Sequence, residues 1–144
     1  AAERGYGVPA FNINNMEIVQ GIVAAAEKLN SPVILSTSEG AIKYAGVEYL
    51  YHIALTAAKY SKVPIALHLD HGQDMEIIKQ CINIGFSSVM IDASHEDFET
   101  NIKLTKKDSP AAKPPIQSKP FSSTKCRFPV SSKINLEFCI SCLR

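Results

Sequence analysis

Short apolar runs alternate with amphipathic segments along residues 1–108. The runs predict four strands, over residues 8–13, 32–37, 63–69 and 88–91. The segments between them repeat apolar residues at helical spacing, which predicts helices over residues 14–30, 47–60 and 75–84 and from about residue 96. Asn14 or Asn15 can cap the first helix, a turn with two glycines precedes the second, and Gly85 ends the third.

The predicted strands are uniformly apolar, which is typical of a parallel sheet covered on both faces. Four strand–helix units within about a hundred residues indicate an α/β fold. An open doubly wound sheet and part of a (β/α)8 TIM barrel both fit this pattern. The doubly wound fold favours a glycine-rich loop after the first strand, whereas this chain reads FNINN there, with no glycine until Gly21. The pattern therefore favours the first four βα units of a TIM barrel.

The composition changes near residue 108. All seven glycines lie before this point, and five of the eight prolines lie after it. Residues 109–144 are also rich in Ser and Lys and show no sustained apolar period. We therefore expect a partial TIM-barrel domain over residues 1–108 and an irregular or disordered tail over residues 109–144.

The whole chain of 144 residues carries a formal charge of +1, which gives no reason to expect nucleic acid or an anionic membrane as a partner. No apolar stretch is long enough to cross a bilayer, and the N-terminal AAERGYG lacks a signal-peptide pattern. These features predict a cytoplasmic protein whose four cysteines are thiols. Cys139 and Cys142 form a lone CxxC motif, which without a second pair is not expected to bind zinc.

Polar side chains collect at the C-terminal ends of all four predicted strands, where both candidate architectures place their chemistry. They are Asn12 and Asn14, then Ser36, Ser38 and Glu39, then His68, Asp70 and His71, and finally Asp92, Ser94 and His95. Buried polar groups cost free energy unless they are paired, so a structural protein has little reason to concentrate them there. The stretch HLDHG, residues 68–72, is the densest group, and its side chains can bind a metal, move a proton, or both.

Structural roles remain alternatives for individual residues. His68 would face inward and support a site only through its neighbours. Ser38 could cap a helix or form a turn, and Asp92 could cap the fourth helix. His71 beside Asp70 is favoured as a functional residue, because side chains at a strand–loop junction commonly enter a site. Three side chains away from this edge are expected to pack or to face solvent: Tyr44, Tyr49 and His52.

Four segments of the chain resemble the class II, zinc-dependent fructose-1,6-bisphosphate aldolases. They read GYGVPAFNINNMEIVQGIVAAAEKLNSPVIL, SEGAIKYAG, ALHLDHG and GFSSVMIDASHEDFETNIKLTKK, and they run in order from about residue 4 to residue 107. HLDHG followed at this distance by MIDASH is a specific pairing. The related tagatose-bisphosphate aldolases are the alternative, and they often have a histidine where this chain has Gly72, so the glycine favours the fructose enzyme.

The resemblance implies a TIM barrel that works as a homodimer or larger assembly in glycolysis and gluconeogenesis. It implies reversible aldol cleavage of fructose 1,6-bisphosphate to dihydroxyacetone phosphate and glyceraldehyde 3-phosphate. By match to the family, His71 is a ligand of the catalytic zinc and Asp70 is the catalytic acid/base. Asp92 matches a ligand of a second divalent metal, and Ser38 matches a residue that contacts the aldehyde side of the substrate. Zinc chemistry suits the reaction, because a Lewis acid can polarise the carbonyl and stabilise an enediolate.

The resemblance also shows what this chain lacks. The family's other two zinc-binding histidines, the glutamate partner of Asp92 and the glycine-rich phosphate loops lie on later strands, whereas this chain has no histidine after His95 and no glycine after Gly85. A whole barrel takes about 250 residues. We therefore expect a truncated copy, and its own activity is left open. The alternatives are a non-catalytic half barrel that pairs with itself or with a second half, and a metal-binding remnant built from His68, His71, Asp92 and His95.

Overall fold

The computed structural model of the chain describes residues 5–108, and its side chains through residue 105. The elements in chain order are β1 (Ala10–Asn12), α1 (Met16–Lys28), β2 (Val33–Ser38), α2 (Glu39–Ala45), α3 (Val47–Tyr60), β3 (Ile65–Gly72), α4 (Met75–Ile84), β4 (Ser88–Ile91) and α5 (Phe98–Asp108). The predicted tail over residues 109–144 and its CxxC motif lie outside the described residues. Within residues 5–108, no helix is both long and apolar enough to cross a membrane.

The four strands form one sheet in the order β1-β2-β3-β4, and each neighbouring pair is parallel. The prediction of a parallel sheet is therefore confirmed. The strands lie side by side in the order in which they follow one another along the chain, as in a barrel. In a doubly wound sheet, by contrast, the strand order reverses at one point. All four C-terminal strand ends consequently lie along one edge of the sheet.

The helix boundaries follow from local capping. Of the two candidate caps for α1, Asn15 is the one used, since its side chain accepts a hydrogen bond from the Ile18 amide at 2.9 Å. The helix α4 ends at Gly85, which adopts the left-handed conformation with φ of 115°. The idea that Asp92 caps the last helix is wrong, because Asp97 accepts the hydrogen bond from the Thr100 amide at 3.1 Å.

Several elements differ from the sequence-based prediction. Residues 39–45 form the short helix α2 rather than a turn, because Ser38 accepts a hydrogen bond from the Ala41 amide at 3.2 Å and starts the helix despite Gly40. Gly46 then ends α2 with φ of 87° and leads directly into α3. The strand β3 starts two residues later than predicted, at Ile65, and continues through HLDHG to Gly72. The strand β1 covers only Ala10–Asn12 of the predicted residues 8–13.

The two faces of the sheet have different partners. On one face, Leu35, Leu67 and Leu69 pack into a core with helix residues, including Leu50 of α3 and Ile78 of α4. Because side chains alternate along a strand, the residues between these leucines lie on the opposite face. There, parallel pairing aligns a polar row across the sheet, Asn12, Ser36, His68 and Ser88. Within residues 5–108, the helices therefore pack against one face of the sheet, and the expectation of a sheet covered on both faces is not met; the other face carries the polar row.

Candidate active site

The C-terminal end of β3 contains an irregularity that turns His71 outward. Leu69 pairs with Val89 and Gly72 pairs with Ile91, so β3 has one residue more than β4 over this interval. Within this irregularity, His71 adopts a left-handed backbone conformation with φ of 52°, and its side chain is 63% exposed. A left-handed conformation costs a residue other than glycine about 1–2 kcal/mol. The surrounding contacts must therefore hold His71 in place.

Close packing around Gly72 provides one of these contacts. A Cβ atom built on Gly72 would lie 2.9 Å from Ile78 Cγ1, from Leu69 Cδ2 and from the Met90 carbonyl oxygen. Only a residue without a side chain fits between α4 and β4 at this point. The Gly72 carbonyl also accepts a hydrogen bond from the Asp92 amide at 2.7 Å. These contacts bring the end of β4 directly beside His71.

Asp92 and His71 form the tightest polar pair of the site. His71 Nδ1 lies 2.8 Å from Asp92 Oδ2, and the Asp92 side chain is only 10% exposed. Hydrogen bonds from Ser94 and from His71 hold the pKa of the Asp92 carboxyl well below its usual range. The same hydrogen bond to Asp92, together with the charge of Asp70, raises the pKa of the His71 imidazole. The carboxylate is therefore ionised at neutral pH.

This pairing decides which nitrogen of His71 can act as a ligand. An ionised carboxylate only accepts hydrogen bonds, so His71 Nδ1 donates to Asp92. In the neutral imidazole, Nε2 then carries the lone pair, as in histidines that bind a metal through one nitrogen and a carboxylate through the other. Asp70 Oδ1 lies 3.8 Å from Nε2. The geometry fits one position of a metal site at Nε2.

The remaining ligands of a zinc site are not found among residues 5–105. A catalytic zinc ion takes about three protein ligands. Within that part of the chain, no group of three or more His, Cys, Asp and Glu side chains is arranged to hold a metal ion. His68 lies instead on the sheet face, with Nδ1 2.7 Å from Ser88 Oγ, as expected for an inward-facing residue, and His95 is exposed. The four residues of the metal-binding remnant therefore do not form a metal cluster here.

Ser38 and Asp70 are neighbours across the sheet. Their Cα atoms are partners in the β2–β3 register, so both lie at the same C-terminal edge. The Ser38 hydroxyl oxygen accepts the hydrogen bond that starts α2, and its proton can still be donated to a ligand. Ser38 therefore does cap a helix, which was the structural alternative for this residue, and its hydroxyl can still contact a substrate. The Asp70 side chain is one-third exposed, which leaves it accessible at this edge.

The three side chains expected to pack or to face solvent are exposed. Tyr44 and Tyr49 are largely exposed. His52 is also exposed on α3, where its Nε2 lies 3.7 Å from a carboxylate oxygen of Glu48 one helical turn away. None of them contributes to the site.

One contact of the site was not predicted from the sequence. Glu39 Oε1 accepts hydrogen bonds from the amides of Gln73, at 2.7 Å, and Asp74, at 2.6 Å. Glu39 is recognisable in the sequence as a polar residue after the second strand, but the turn predicted around Gly40 hid its place in the first turn of α2. Its partners are backbone amides, which leave no sequence signal.

Comparison with known proteins gives one consistent family. A family model for fructose-bisphosphate aldolase class-II matches residues 1–114. The chain is 53% identical over 112 residues to the fructose-bisphosphate aldolase of Thermus caldophilus, covering 78% of this chain and 36% of that protein. It is 51% identical over 107 residues to the fructose-bisphosphate aldolase of Giardia intestinalis, covering 74% of this chain and 33% of that protein.

Solved structures agree with this result. The YdjI aldolase from Escherichia coli K12 superposes with a TM-score of 0.68 at 40% identity, covering 73% of this chain and 41% of that chain. The fructose-bisphosphate aldolase from Campylobacter jejuni superposes with a TM-score of 0.65 at 27% identity, covering 73% of this chain and 37% of that chain.

The fold and the site together define a section of an α/β barrel of the aldolase type, so the predicted barrel fold is confirmed. The strand-end polar residues lie where such barrels place their chemistry. The chain belongs to the class II fructose-bisphosphate aldolase family. It spans about a third of the length of the curated relatives that it matches.

Proposed function

We propose that the chain contributes the first four βα units of an enzyme that cleaves fructose 1,6-bisphosphate reversibly into dihydroxyacetone phosphate and glyceraldehyde 3-phosphate, with zinc as cofactor. The observation that carries the proposal is the convergence of Asp70, His71 and Asp92 at adjacent strand ends in a chain of this family. Glycolysis and gluconeogenesis are the metabolic context that goes with this reaction.

His71 is proposed as one ligand of the catalytic zinc, through Nε2. The hydrogen bond from Nδ1 to Asp92 supports this role, because it fixes the ring and leaves the lone pair on the exposed nitrogen. When bound, zinc supplies a Lewis acid that polarises the substrate carbonyl. Asp92 is proposed to orient His71, and each of its oxygens retains a lone pair for a second divalent metal, the role that the resemblance implies for this residue.

Asp70 is proposed as the catalytic acid/base. In the cleavage direction, its carboxylate accepts the proton of the hydroxyl group that becomes the aldehyde, and in condensation it returns that proton. Its place beside His71 supports this role, since the proton acceptor and the zinc ligand then face one substrate. Ser38, one strand away from Asp70, is proposed to donate a hydrogen bond to the aldehyde side of the substrate.

A tagatose-bisphosphate substrate is the second candidate, and Gly72 favours the fructose enzyme over it. Relatives with the tagatose activity often have a histidine at this position, and a side chain there would collide with α4 and β4 in this chain. A cytoplasmic homodimer or larger assembly remains part of the proposal.

The test is turnover by the purified chain, alone and co-expressed with the remaining barrel units of the Thermus caldophilus enzyme. Both sugar bisphosphates are assayed with added zinc and with a chelator. We expect zinc-dependent cleavage of the fructose substrate that falls by a factor of about 100 or more in Asp70→Asn and His71→Ala. His52→Ala, an exposed histidine away from the site, is the matched control and should retain full activity. Activity that survives Asp70→Asn, or that is insensitive to the chelator, would contradict the proposal.

A further inference from the structure

Glu39 joins two turns at the C-terminal edge of the sheet. It is the first residue of α2, directly after Ser38, and its Oε1 atom accepts hydrogen bonds from the amides of Gln73 and Asp74 in the turn between β3 and α4. The Glu39 side chain is only 16% exposed. A carboxylate that accepts hydrogen bonds from two backbone amides forms charge-assisted hydrogen bonds, which are stronger than neutral ones.

The two amides belong to the residues that follow His71 and Gly72. Asp74 in turn starts α4, since its side chain accepts a hydrogen bond from the Glu76 amide at 2.8 Å. Glu39 therefore fixes the direction in which the chain leaves β3. In the peptide unit that contains the Gln73 amide, the Gly72 carbonyl accepts a hydrogen bond from the Asp92 amide at 2.7 Å.

His71 directly precedes these two attachments and has a left-handed backbone, which residues other than glycine adopt uncommonly. Strained backbone of this kind persists only where the surroundings enforce it. Packing holds Gly72 itself, and the Asp92 amide and the Glu39 carboxylate hold the carbonyl and the amide of the peptide unit that joins Gly72 to Gln73. With Glu39 removed, the turn would be free to relax toward an ordinary backbone conformation.

We propose that Glu39 is a positioning residue, which holds the turn after β3 so that His71 keeps its left-handed backbone and its contact with Asp92. Lys43 approaches the second oxygen of Glu39 at 3.6 Å and is largely exposed, so its contribution is minor. The part of this inference that concerns zinc rests on the proposed function. The part that concerns the backbone stands without it.

Amide hydrogen exchange, measured by NMR on the full chain, tests the backbone part. In Glu39→Ala, we expect exchange at Gln73 and Asp74 to rise at least about tenfold. Exchange at Asp92, whose amide binds Gly72, should rise as well, because the whole turn relaxes. Glu48→Ala, which removes an exposed glutamate from α3, is the matched control and should leave all three amides unchanged. If Glu39→Ala does not fold, Glu39→Gln, which keeps the acceptor oxygen but loses its charge, should show a smaller increase at the same amides.

The results separate a positioning role from a purely local one. Faster exchange at Gln73 and Asp74 with no change at Asp92 would mean that Glu39 only satisfies two amides, and it would overturn the proposal. Unchanged exchange at all three amides would overturn it too.

Zinc titration of the chain co-expressed with the remaining barrel units, followed through the imidazole resonances of His71, tests the functional part and is specific to this residue. We expect Glu39→Ala to weaken zinc binding at His71 by about ten- to hundredfold, as second-layer substitutions do in metal sites. Equal zinc affinity in Glu39→Ala and wild type would show that Glu39 does not position the ligand. If wild-type His71 shows no response to zinc, the proposed function fails, while the exchange data still decide the role of Glu39.

Discussion

Substitution of Gly72 by alanine is the sharpest test of how the site is held. Gly72 has no left-handed backbone, so the requirement for glycine is one of space alone. The added methyl would lie 2.9 Å from Leu69 Cδ2, Ile78 Cγ1 and the Met90 carbonyl oxygen. Leu69 and Ile78 are completely buried, and the carbonyl belongs to the backbone of β4, so none of the three can move aside freely.

The expected cost follows from these contacts. Overpacking of a well-filled core destabilises a protein by about 1–3 kcal/mol, and a backbone neighbour places this site in the upper part of that range. Replacing glycine by alanine also lowers the entropy of the unfolded chain, which stabilises the folded state by about 0.4–1 kcal/mol. We therefore expect Gly72→Ala to lower the free energy of unfolding by about 2 kcal/mol, equivalent to about 10 °C in Tm.

Urea unfolding followed by circular dichroism measures this change, and the chain provides a matched control. Gly21 lies within α1, and a Cβ atom there would meet nothing within 4 Å. Gly21→Ala should therefore raise stability by about 0.5–1 kcal/mol, because alanine is the better helix former. If Gly72→Ala unfolds at the wild-type urea concentration while Gly21→Ala shifts as expected, the close packing between β3, α4 and β4 is refuted.

Three further predictions concern single contacts. Asn15→Ala should lower the free energy of unfolding by about 1 kcal/mol, since it removes the cap of α1, and an unchanged urea midpoint would contradict this. In the metal-free protein, Asp92→Asn should bring the pKa of the His71 imidazole back toward its ordinary value, and NMR titration of the ring measures it; a pKa that stays raised would mean that Asp70 is the dominant partner. Burial raises the pKa of the Cys81 thiol to about 12, so iodoacetamide at pH 8 should alkylate it only after unfolding, as read by peptide mapping.

The pair formed by His71 and Asp92 should also make the stability of the fold depend on pH. The raised pKa of His71 contributes stability that is fully present below the unfolded-state pKa of the imidazole and is lost as the pH rises through the folded-state value. The lowered pKa of Asp92 contributes stability that is present above its unfolded-state value and is lost as the pH falls through the folded-state value. The pair should therefore stabilise the fold most at mildly acidic pH. Asp92→Asn should flatten this dependence in urea unfolding measured across pH.

Much of the fold could be predicted because its signals are local. Helices α3 and α4 have the predicted bounds, since apolar residues at helical spacing and the cap at Gly85 lie within one short window of the chain. The strand β4 was likewise predicted to the residue. The helix α2 was missed because Gly40 resembles a turn residue, whereas the hydrogen bond from Ala41 to Ser38 that starts the helix is visible only in three dimensions.

The sequence by itself determined which polar side chains lie at the C-terminal edge of the sheet. Asp70 and His71 near the end of one strand, and Asp92 after the next, are enough to place two carboxylates and an imidazole at the C-terminal ends of parallel strands, because that placement depends only on where each strand ends.

Only the tertiary structure decided how those groups are held. Three features hold the site: the left-handed backbone at His71, the lack of space for a side chain at Gly72, and the hydrogen bonds from the Gln73 and Asp74 amides to Glu39. Each of them depends on residues that are distant in the chain or on backbone atoms. Nearly every residue carries the same backbone amide and carbonyl, so no local pattern in the sequence shows which of them will meet. That information exists only once the strands and helices have packed.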